Sequence, residues 1–387
     1  MTIRPVRKTA PVIDTPRIAL FAPSFESGGV ERMLVNLACG FSDLGVAVDF
    51  VIKHAEEPYI DLLPWDVRLV PLGRVDGKAL IQSATDYLRH ERPAVLLSSK
   101  AENDRLAVTA RGLAQADLVH AIRVPVHVSN QLAMKGHNRL RQWLTKRELR
   151  RLFRSADRLI AVSRGVADDT AAIAHLPPER VSVIPNPVIT PQLAERAQET
   201  VDHPWFADRS LPLVLGMGRL GRQKNFALLI EAFARLRAER PARLVILGEG
   251  RYRARLEAQA AALGVADDVA LPGFTANPYP WLARANLFVL SSDWEGSPNA
   301  LTEALALGVP SVATDCRSGP REILAGGRYG PLVPPGDAVE LAAAMARLLA
   351  APPDPRLLRE AVTEYTQAAS AERYLAALGF HARRERS

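Results

Sequence analysis

Cysteine is almost absent. Cys39 and Cys316 are the only two in 387 residues. Two thiols cannot build a disulfide framework or a structural zinc site, so the simplest expected compartment is a reducing cytoplasm. Aromatic residues make up only 6% of the chain, which predicts aliphatic, alanine-rich cores. Both cysteines fall in apolar stretches that read as core. No run approaches the roughly 18 apolar residues that span a bilayer. Residues 1–16 carry Arg4, Arg7 and Lys8 with no apolar segment of signal-peptide length behind them. Any membrane contact is therefore expected to be peripheral, on the inner face. Low-complexity segments and short repeats are missing too.

What is present is ample for two buried cores: 48% of residues are hydrophobic and 24% charged, over a length that suggests two domains. Lys plus Arg number 49 against 42 Asp plus Glu, a formal charge of +7. That balance favours anionic partners such as phosphates, nucleotides and acidic lipid head groups. A nucleic acid has only the net charge behind it and is not expected.

Short β-rich runs alternate with helical patterns. Arg17–Ala22 reads as a buried strand, Val30–Leu44 as a helix closed by Gly45, and Val46–Ile52 as the next strand. Further strands are expected at Ala94–Ser98, Leu118–Val124 and Arg158–Ser163. The order breaks around 185–210, where Pro185, Pro187, Pro191 and Pro204 sit among polar residues. It restarts with a strand at Leu213–Met217 and a helix at Phe226–Glu239, then strands at Arg243–Leu247, Val269–Leu271, Leu287–Ser291 and Pro310–Thr314. Strand–helix alternation implies parallel, doubly wound sheets. The expected class is α/β, with two Rossmann-like domains facing across a cleft: 1–190, a linker at 191–210, and 211–365. A final helical stretch, about Leu357–Leu378, could pack on either half, and residues 366–387 are expected to be free to return to the first domain. Ligands in such sheets bind beyond the carboxyl ends of the strands.

Three segments carry chemistry. The first is Ser292-Asp-Trp-Glu-Gly-Ser-Pro-Asn-Ala-Leu-Thr-Glu303. Ser297 suits an N-cap, Pro298 the first helical position, and Gly308 a stop. The amides of Asn299, Ala300 and Leu301 are then expected to point outward at the positive end of a helix dipole, an anion site. Glu295 and Glu303 flank it. Two acids beside a phosphate site make sense as acceptors from hydroxyls attached to that phosphate, a sugar on one side and a ribose on the other. The second is Gly216-Met-Gly-Arg-Leu-Gly-Arg-Gln-Lys-Asn225, between a strand and a helix for which Asn225 is the expected N-cap. It matches G-x-G-x-x-G, a weak dinucleotide signal. The motif opens the second half of the chain, and no acid is read at the end of the next strand about 20 residues on. Arg219, Arg222 and Lys224 suit instead a diphosphate that gains charge as it leaves. The third is Ser27-Gly28-Gly29-Val30-Glu31, after the first strand, where two glycines permit close backbone approach.

Together these segments resemble the GT-B-fold glycosyltransferases of family 4, over nearly the whole chain and most densely from Gly216 to Leu324. Glu295 and Glu303 have that family's E-x7-E spacing. Glu295-Gly-Ser-Pro-Asn, Glu303-Ala-Leu-Ala-Leu-Gly-Val-Pro and Gly319-Pro-Arg-Glu-Ile-Leu324 are similar to its donor block, and Arg219 with Lys224 to its basic pair. Ala161-Val-Ser-Arg-Gly, Ile184-Pro-Asn-Pro and Leu247-Gly-Glu-Gly250 resemble other family segments. The resemblance implies transfer with retention from a nucleotide-diphosphate sugar, a UDP-sugar being the commonest donor, to a glycan or lipid-linked acceptor. It implies no required cofactor and no metal. Asp168-Asp169 and Asp267-Asp268 are the nearest acidic pairs, and neither reads as the end of a strand; Asp268 reads as the start of one. By the same carry-over Glu303 holds the ribose and Glu295 the sugar hydroxyls. Backbone at Ser297 and Asn299–Leu301 holds the phosphates or sugar, with Gly28 and Gly29 close by. Phe274 to Tyr279, with Phe274 and Asn277, line the base. His127, in Val126-His-Val-Ser-Asn130, is the choice for a histidine beside the sugar, with His120 the rival.

The stretch 138–158 is strongly basic: Arg139, Arg141, Lys146, Arg147, Arg150, Arg151, Arg154 and Arg158, with Trp143, Leu144, Leu152 and Phe153 interspersed. It could rest on an anionic membrane, although basic and apolar residues do not separate cleanly on a helical wheel. Three other readings stay open: a sugar-nucleotide epimerase of related architecture, a dinucleotide-dependent oxidoreductase, and a silent nucleotide-sugar-binding protein.

Overall fold

The computed structural model describes residues 16–25, 28–54, 59–134, 138–207 and 210–380. Arg4, Arg7, Lys8 and Ser27 lie outside them. The strands are β1 (Ile18–Phe21), β2 (Val48–Ile52), β3 (Arg68–Pro71), β4 (Val95–Ser99), β5 (Val119–Val124), β6 (Arg158–Ala161), β7 (Val181–Val183), β8 (Leu213–Met217), β9 (Arg243–Leu247), β10 (Val269–Gly273), β11 (Leu287–Leu290), β12 (Ser311–Thr314) and β13 (Leu332–Val333). They form a seven-stranded sheet ordered β3-β2-β1-β4-β5-β6-β7 and a six-stranded sheet ordered β10-β9-β8-β11-β12-β13. Pairing along both is parallel, with helices as the crossovers.

The described residues form two compact units. One takes the chain up to Arg123, Arg151–Leu159 and the residues from Ala371 on; the other takes Val124–Arg150 and Ile160–Ser370. In the first, Ala19, Phe21, Val51 and Leu96 pack beneath Leu88, Ala107 and Ala110. Asp49 of β2 is fully buried there, held by Arg17 at 2.7 Å, Arg68 at 2.6 Å and the Tyr87 hydroxyl at 2.8 Å. In the second, alternate strand residues serve two cores. Val214, Leu244, Ile246, Leu287 and Val289 point to one face, under the helices Phe226–Glu239 and Ala338–Ala350. Leu213, Leu215, Val245, Leu247, Phe288 and Leu290 point to the other, under the helix Asn299–Ala306. Such two-sided burial explains why these strands read as continuous apolar runs.

Several expectations change. The stretch 191–210 carries two short helices, Leu193–Arg196 and Pro204–Ala207. Leu193 and Ala197 are buried in the second core, and the Phe206 ring meets Trp281 edge-on at 4.9 Å. The helical stretch Leu357–Leu378 is broken into Pro355–Glu360 and Gln367–Leu378. The break is where the amides of Val188 and Ile189 both donate to the Tyr365 carbonyl and Gln367 donates back to Ile189, drawing the backbone out of the helical path. Cys39 is only half-buried; Cys316 is buried as expected.

Candidate functional site

The charged residues that the sequence singles out at Lys224 and Glu295 follow the carboxyl ends of β8 and β11, in the second unit. After β8 the chain turns through Gly218 at φ +149°, a region L side chains rarely enter. A Cβ there would lie 2.8 Å from Lys224 Cε, so the absence of a side chain lets the lysine stem cross the turn. Asn225 then caps the helix Phe226–Glu239, its side chain accepting from the Leu228 amide, as the sequence predicts. Lys224 is thereby aimed at the loop after β11. Its Nζ lies 2.6 Å from Glu295 Oε1, with side-chain exposures of 18% and 6%.

Glu295 is held from other sides as well. Ser292 Oγ donates to Oε1 at 2.7 Å, and Gln223 Nε2 reaches Oε2 at 3.4 Å and the Trp294 carbonyl at 3.0 Å. Asp293 N donates to the Gln223 carbonyl and Asn225 Nδ2 to Asp293 Oδ1, binding the two loops together. Both oxygens of the buried carboxylate therefore have partners, which offsets part of the cost of burying the pair. Burial and the nearby Glu295 carboxylate push the Cys316 thiol up to about 12, so it stays a protonated core residue.

The helix after this loop starts at Asn299, not Pro298. Pro298 has ψ 100° and is the N-cap, and Ser297 makes no cap. The Leu301 amide donates to the Pro298 carbonyl, so it does not point outward as expected. The helix closes at Gly308 as expected, with φ +76° and the Val309 amide bonded to the Ala304 carbonyl. Asn299 Oδ1 accepts from Asn186 Nδ2 at 2.8 Å, and Ala300 and Leu301 are buried. Glu303 is fully buried in the second turn. Gly296 is a site of close approach: a Cβ on it would lie 2.1 Å from the Pro125 carbonyl oxygen. The backbone just before His127 thus sits against the residue just after Glu295.

His127 Nδ1 lies 3.3 Å from Asp169 Oδ2. Asp169 also accepts from the Ser129 amide. Burial would raise its carboxyl, but the bonds from His127 and Ser129 outweigh that and hold it below the usual value. His120 is placed differently. It is sealed in the first unit, with Nε2 3.0 Å from Ser98 Oγ, which in turn bonds Asp104 at 2.6 Å. Burial, with Arg111 nearby, pushes the imidazole down to about 4 and burial pushes Asp104 up to about 8, so both are uncharged in a neutral core.

The other expected residues are more scattered. Arg219 is exposed and makes no ion pair among the described residues; Arg222 is exposed beside it. Phe274 is 61% exposed. Asn277 spends its side chain on the Arg196 carbonyl and the Tyr279 amide. Gly28, in the first unit, is the N-cap of the helix Gly29–Asp43; a Cβ on it would lie 2.7 Å from Glu31 Oε2. Gly29 is exposed. An acid does follow the next strand, contrary to expectation: Glu249 stands two residues past β9, but Arg253 holds it at 2.6 Å. No cluster of metal-binding side chains occurs among the described residues. Sequence reasoning gave Gln223 and Ser292 no role within their segments and did not single out Ser318. It met Asp169 only as half of an acidic pair, because its partner His127 is forty-two residues away.

Comparison with known proteins bears on the fold and the family. A model described as Glycosyltransferase Family 4 matches residues 27–192, and one described as Glycosyl transferases group 1 matches residues 212–351. The chain is 34% identical over 182 residues to the N-acetylgalactosamine-N,N'-diacetylbacillosaminyl-diphospho-undecaprenol 4-alpha-N-acetylgalactosaminyltransferase of Campylobacter jejuni, covering 47% of this chain and 48% of that one. That match spans about half of the relative's own length. It is 27% identical to the lipopolysaccharide core biosynthesis glycosyltransferase LpsE of Rhizobium meliloti, over 84% of this chain and 86% of the relative. Among solved structures, Anabaena Alr3699/HepE in complex with UDP and glucose superposes with a TM-score of 0.76 at 16% identity, over 94% of this chain and 99% of that one. At that identity the likeness speaks for the fold alone.

Proposed function

The chain belongs to the GT-B-fold glycosyltransferases of family 4, and on that premise we propose that it moves a sugar, with retention, from a UDP-sugar to a glycan or lipid-linked acceptor. The observation that carries the proposal is the Lys224–Glu295 pair. It joins a cation suited to a diphosphate and a carboxylate suited to sugar hydroxyls, beside the start of a helix and the segment bearing His127. In this reading 211–365 is the donor domain and 1–190 the acceptor domain. Glu303 holds the ribose, Phe274 and Asn277 line the base, and Ser297 and the backbone at Asn299 and Ala300 meet the phosphates or sugar. Gly28 and Gly29 allow the ligand to approach.

The acceptor hydroxyl attacks the sugar C1 on the face from which the diphosphate departs. The C1–oxygen bond to phosphate breaks, and the leaving phosphate oxygen takes the hydroxyl proton. Arg219, Lys224 and the helix N-terminus stabilise the growing charge, and no metal is required. A thermal-shift panel of UDP-, GDP- and ADP-sugars with NADH tests the donor. A ligand at 100 times its Kd stabilises by about 2.7 kcal/mol, so UDP compounds should raise Tm clearly. A response to NADH instead would overturn the reading. So would conversion of the donor sugar to its epimer without an acceptor. A product of inverted anomeric configuration would remove retention.

The names of the relatives turn on undecaprenol and lipopolysaccharide, which supports an acceptor at a membrane. The basic segment forms the helix Arg139–Ser155, and the mixed helical wheel has a local cause. Leu149, Leu152 and Phe153 are buried, whereas Leu140, Trp143 and Leu144 are 65%, 55% and 50% exposed. The exposed apolar trio is flanked by exposed Arg139, Arg141 and Arg147, with the Arg147 guanidinium 5.5 Å from the Trp143 ring centre. This surface suits an anionic bilayer. The protein should co-sediment with anionic but not zwitterionic vesicles at low salt, and Trp143→Ser with Leu144→Ser should release it. No sedimentation of the unaltered protein removes the membrane from the account.

A further inference from the structure

The helix Arg164–Ala174 has its first-turn donors satisfied from a distant part of the chain. Ser163 Oγ accepts from the Val166 amide. The Arg164 and Gly165 amides donate to the two oxygens of one carboxylate, Glu322, at 2.7 and 3.1 Å. A carboxylate there meets both the unpaired amides and the positive end of the helix dipole. The same turn is fastened alongside. Ser318 Oγ donates to the Gly296 carbonyl at 2.9 Å, leaving the Ser163 hydroxyl to donate to Ser318 across 2.8 Å. A Cβ on Gly165 would lie 3.1 Å from the Arg317 carbonyl oxygen, so this contact tolerates little displacement.

One and a half turns along, the helix presents Asp169, the residue that holds His127 and the Ser129 amide. Gly296, which receives the Ser318 bond, adjoins Glu295 and abuts Pro125. His127 is therefore tied to Glu295 twice: directly through Pro125 and Gly296, and indirectly through Asp169, the helix, and its clasp by Glu322 and Ser318.

We propose that Glu322 is a positioning residue: by holding the first turn of this helix it keeps Asp169, and through it His127, in register with Glu295. Glu322 touches no reacting atom in this scheme. The inference rests on the reading of Glu295 and His127 as sugar-side groups, and its test separates the two. Nucleotide binding to the unaltered protein, measured first, decides the broader reading before any variant is made.

Glu322→Ala should lower kcat by about tenfold, the scale of a sub-ångström misplacement of a reacting group. Donor KM and UDP affinity should stay within about twofold, because neither depends on the His127 register. Amide exchange at Arg164 and Gly165 should quicken. Glu322→Gln, which keeps one acceptor oxygen, should fall between alanine and the native residue. The decisive comparison is with His127→Ala. If Glu322 acts through His127, removing it in that background should change kcat little further, since groups acting as a unit are non-additive. Independent, multiplying losses would overturn the proposal. So would native kcat in Glu322→Ala, or equal loss of UDP affinity and turnover. Should the alanine variant fail to fold, Glu322→Gln carries the same comparison.

Discussion

Replacing Lys224 with alanine is expected to lower kcat/KM at least about a hundredfold with the fold intact, the loss that follows from deleting one donor to a developing anion. The argument begins with a glycine. Gly218 lets the lysine stem cross the turn after β8, and the short helix Arg222–Lys224 and the cap at Asn225 fix the backbone on its other side. The ammonium is therefore already in place, partly desolvated, before any ligand arrives. In the proposed mechanism a donor diphosphate competes with Glu295 for it and gains strength as charge develops on the leaving oxygen, which makes the interaction one of the transition state more than of the ground state. Arg219 is the contrasting case. It is exposed and free of ion pairs among the described residues, so its ordering is left to the ligand, and its removal should lower kcat less than that of Lys224 while also raising donor KM. Steady-state kinetics on the two variants, with Tm as the check on folding, measures this. Near-native turnover in Lys224→Ala would reject the role.

The second large effect is expected from Glu295→Ala: a fall in kcat of about two to three powers of ten, with UDP affinity changed only a few-fold. Glu295 is 5% exposed and takes bonds from Lys224, Ser292 and Gln223. Its loss leaves Lys224 without the partner that orients it, yet a free nucleoside diphosphate would take that place and still bind. What a diphosphate cannot replace is the acceptor for sugar hydroxyls. Turnover and UDP affinity should therefore part company, and calorimetric titration with UDP beside the kinetics shows whether they do. An equal loss of both would mean that Glu295 serves the diphosphate and not the sugar.

Much of the fold is legible in the chain because its central strands are buried on both faces. Leu213–Met217, Phe226–Glu239 and Arg243–Leu247 are read from the sequence to the residue, and the other recognised strands lie within two residues of their observed ends. The strands not recognised are β3, β7 and β13. All three lie at sheet edges, where one flank has no partner and the burial that writes an apolar run is halved; Val181–Val183 buries only its first residue. The helix starts at Asn299, one residue later than the sequence suggests, and Pro298 meets a residue that no local rule would bring to it. Gly319, at φ +92°, lies so close to Pro298 that a Cβ on it would come 2.5 Å from Pro298 Cδ.

The candidate site was legible as types of residue, not as partners. The sequence shows an acid at 295 and a cation at 224, but their direct pairing depends on the placement of two loops seventy-one residues apart. The same holds for Glu322, which the sequence offers only as part of Gly319-Pro-Arg-Glu-Ile-Leu324. Its two amide partners lie more than 150 residues earlier, at Arg164 and Gly165.

The central claim is that Lys224, Arg219, Glu295 and Glu303 serve one nucleotide-sugar ligand. A crystal structure of the protein with UDP and its donor sugar tests it most directly. The account predicts Lys224 Nζ and the Arg219 guanidinium within about 3 Å of diphosphate oxygens, and the carboxylates of Glu295 and Glu303 accepting from sugar and ribose hydroxyls respectively. A diphosphate bound elsewhere, with the Lys224–Glu295 pair undisturbed and Glu303 still sealed from the ligand, would contradict it.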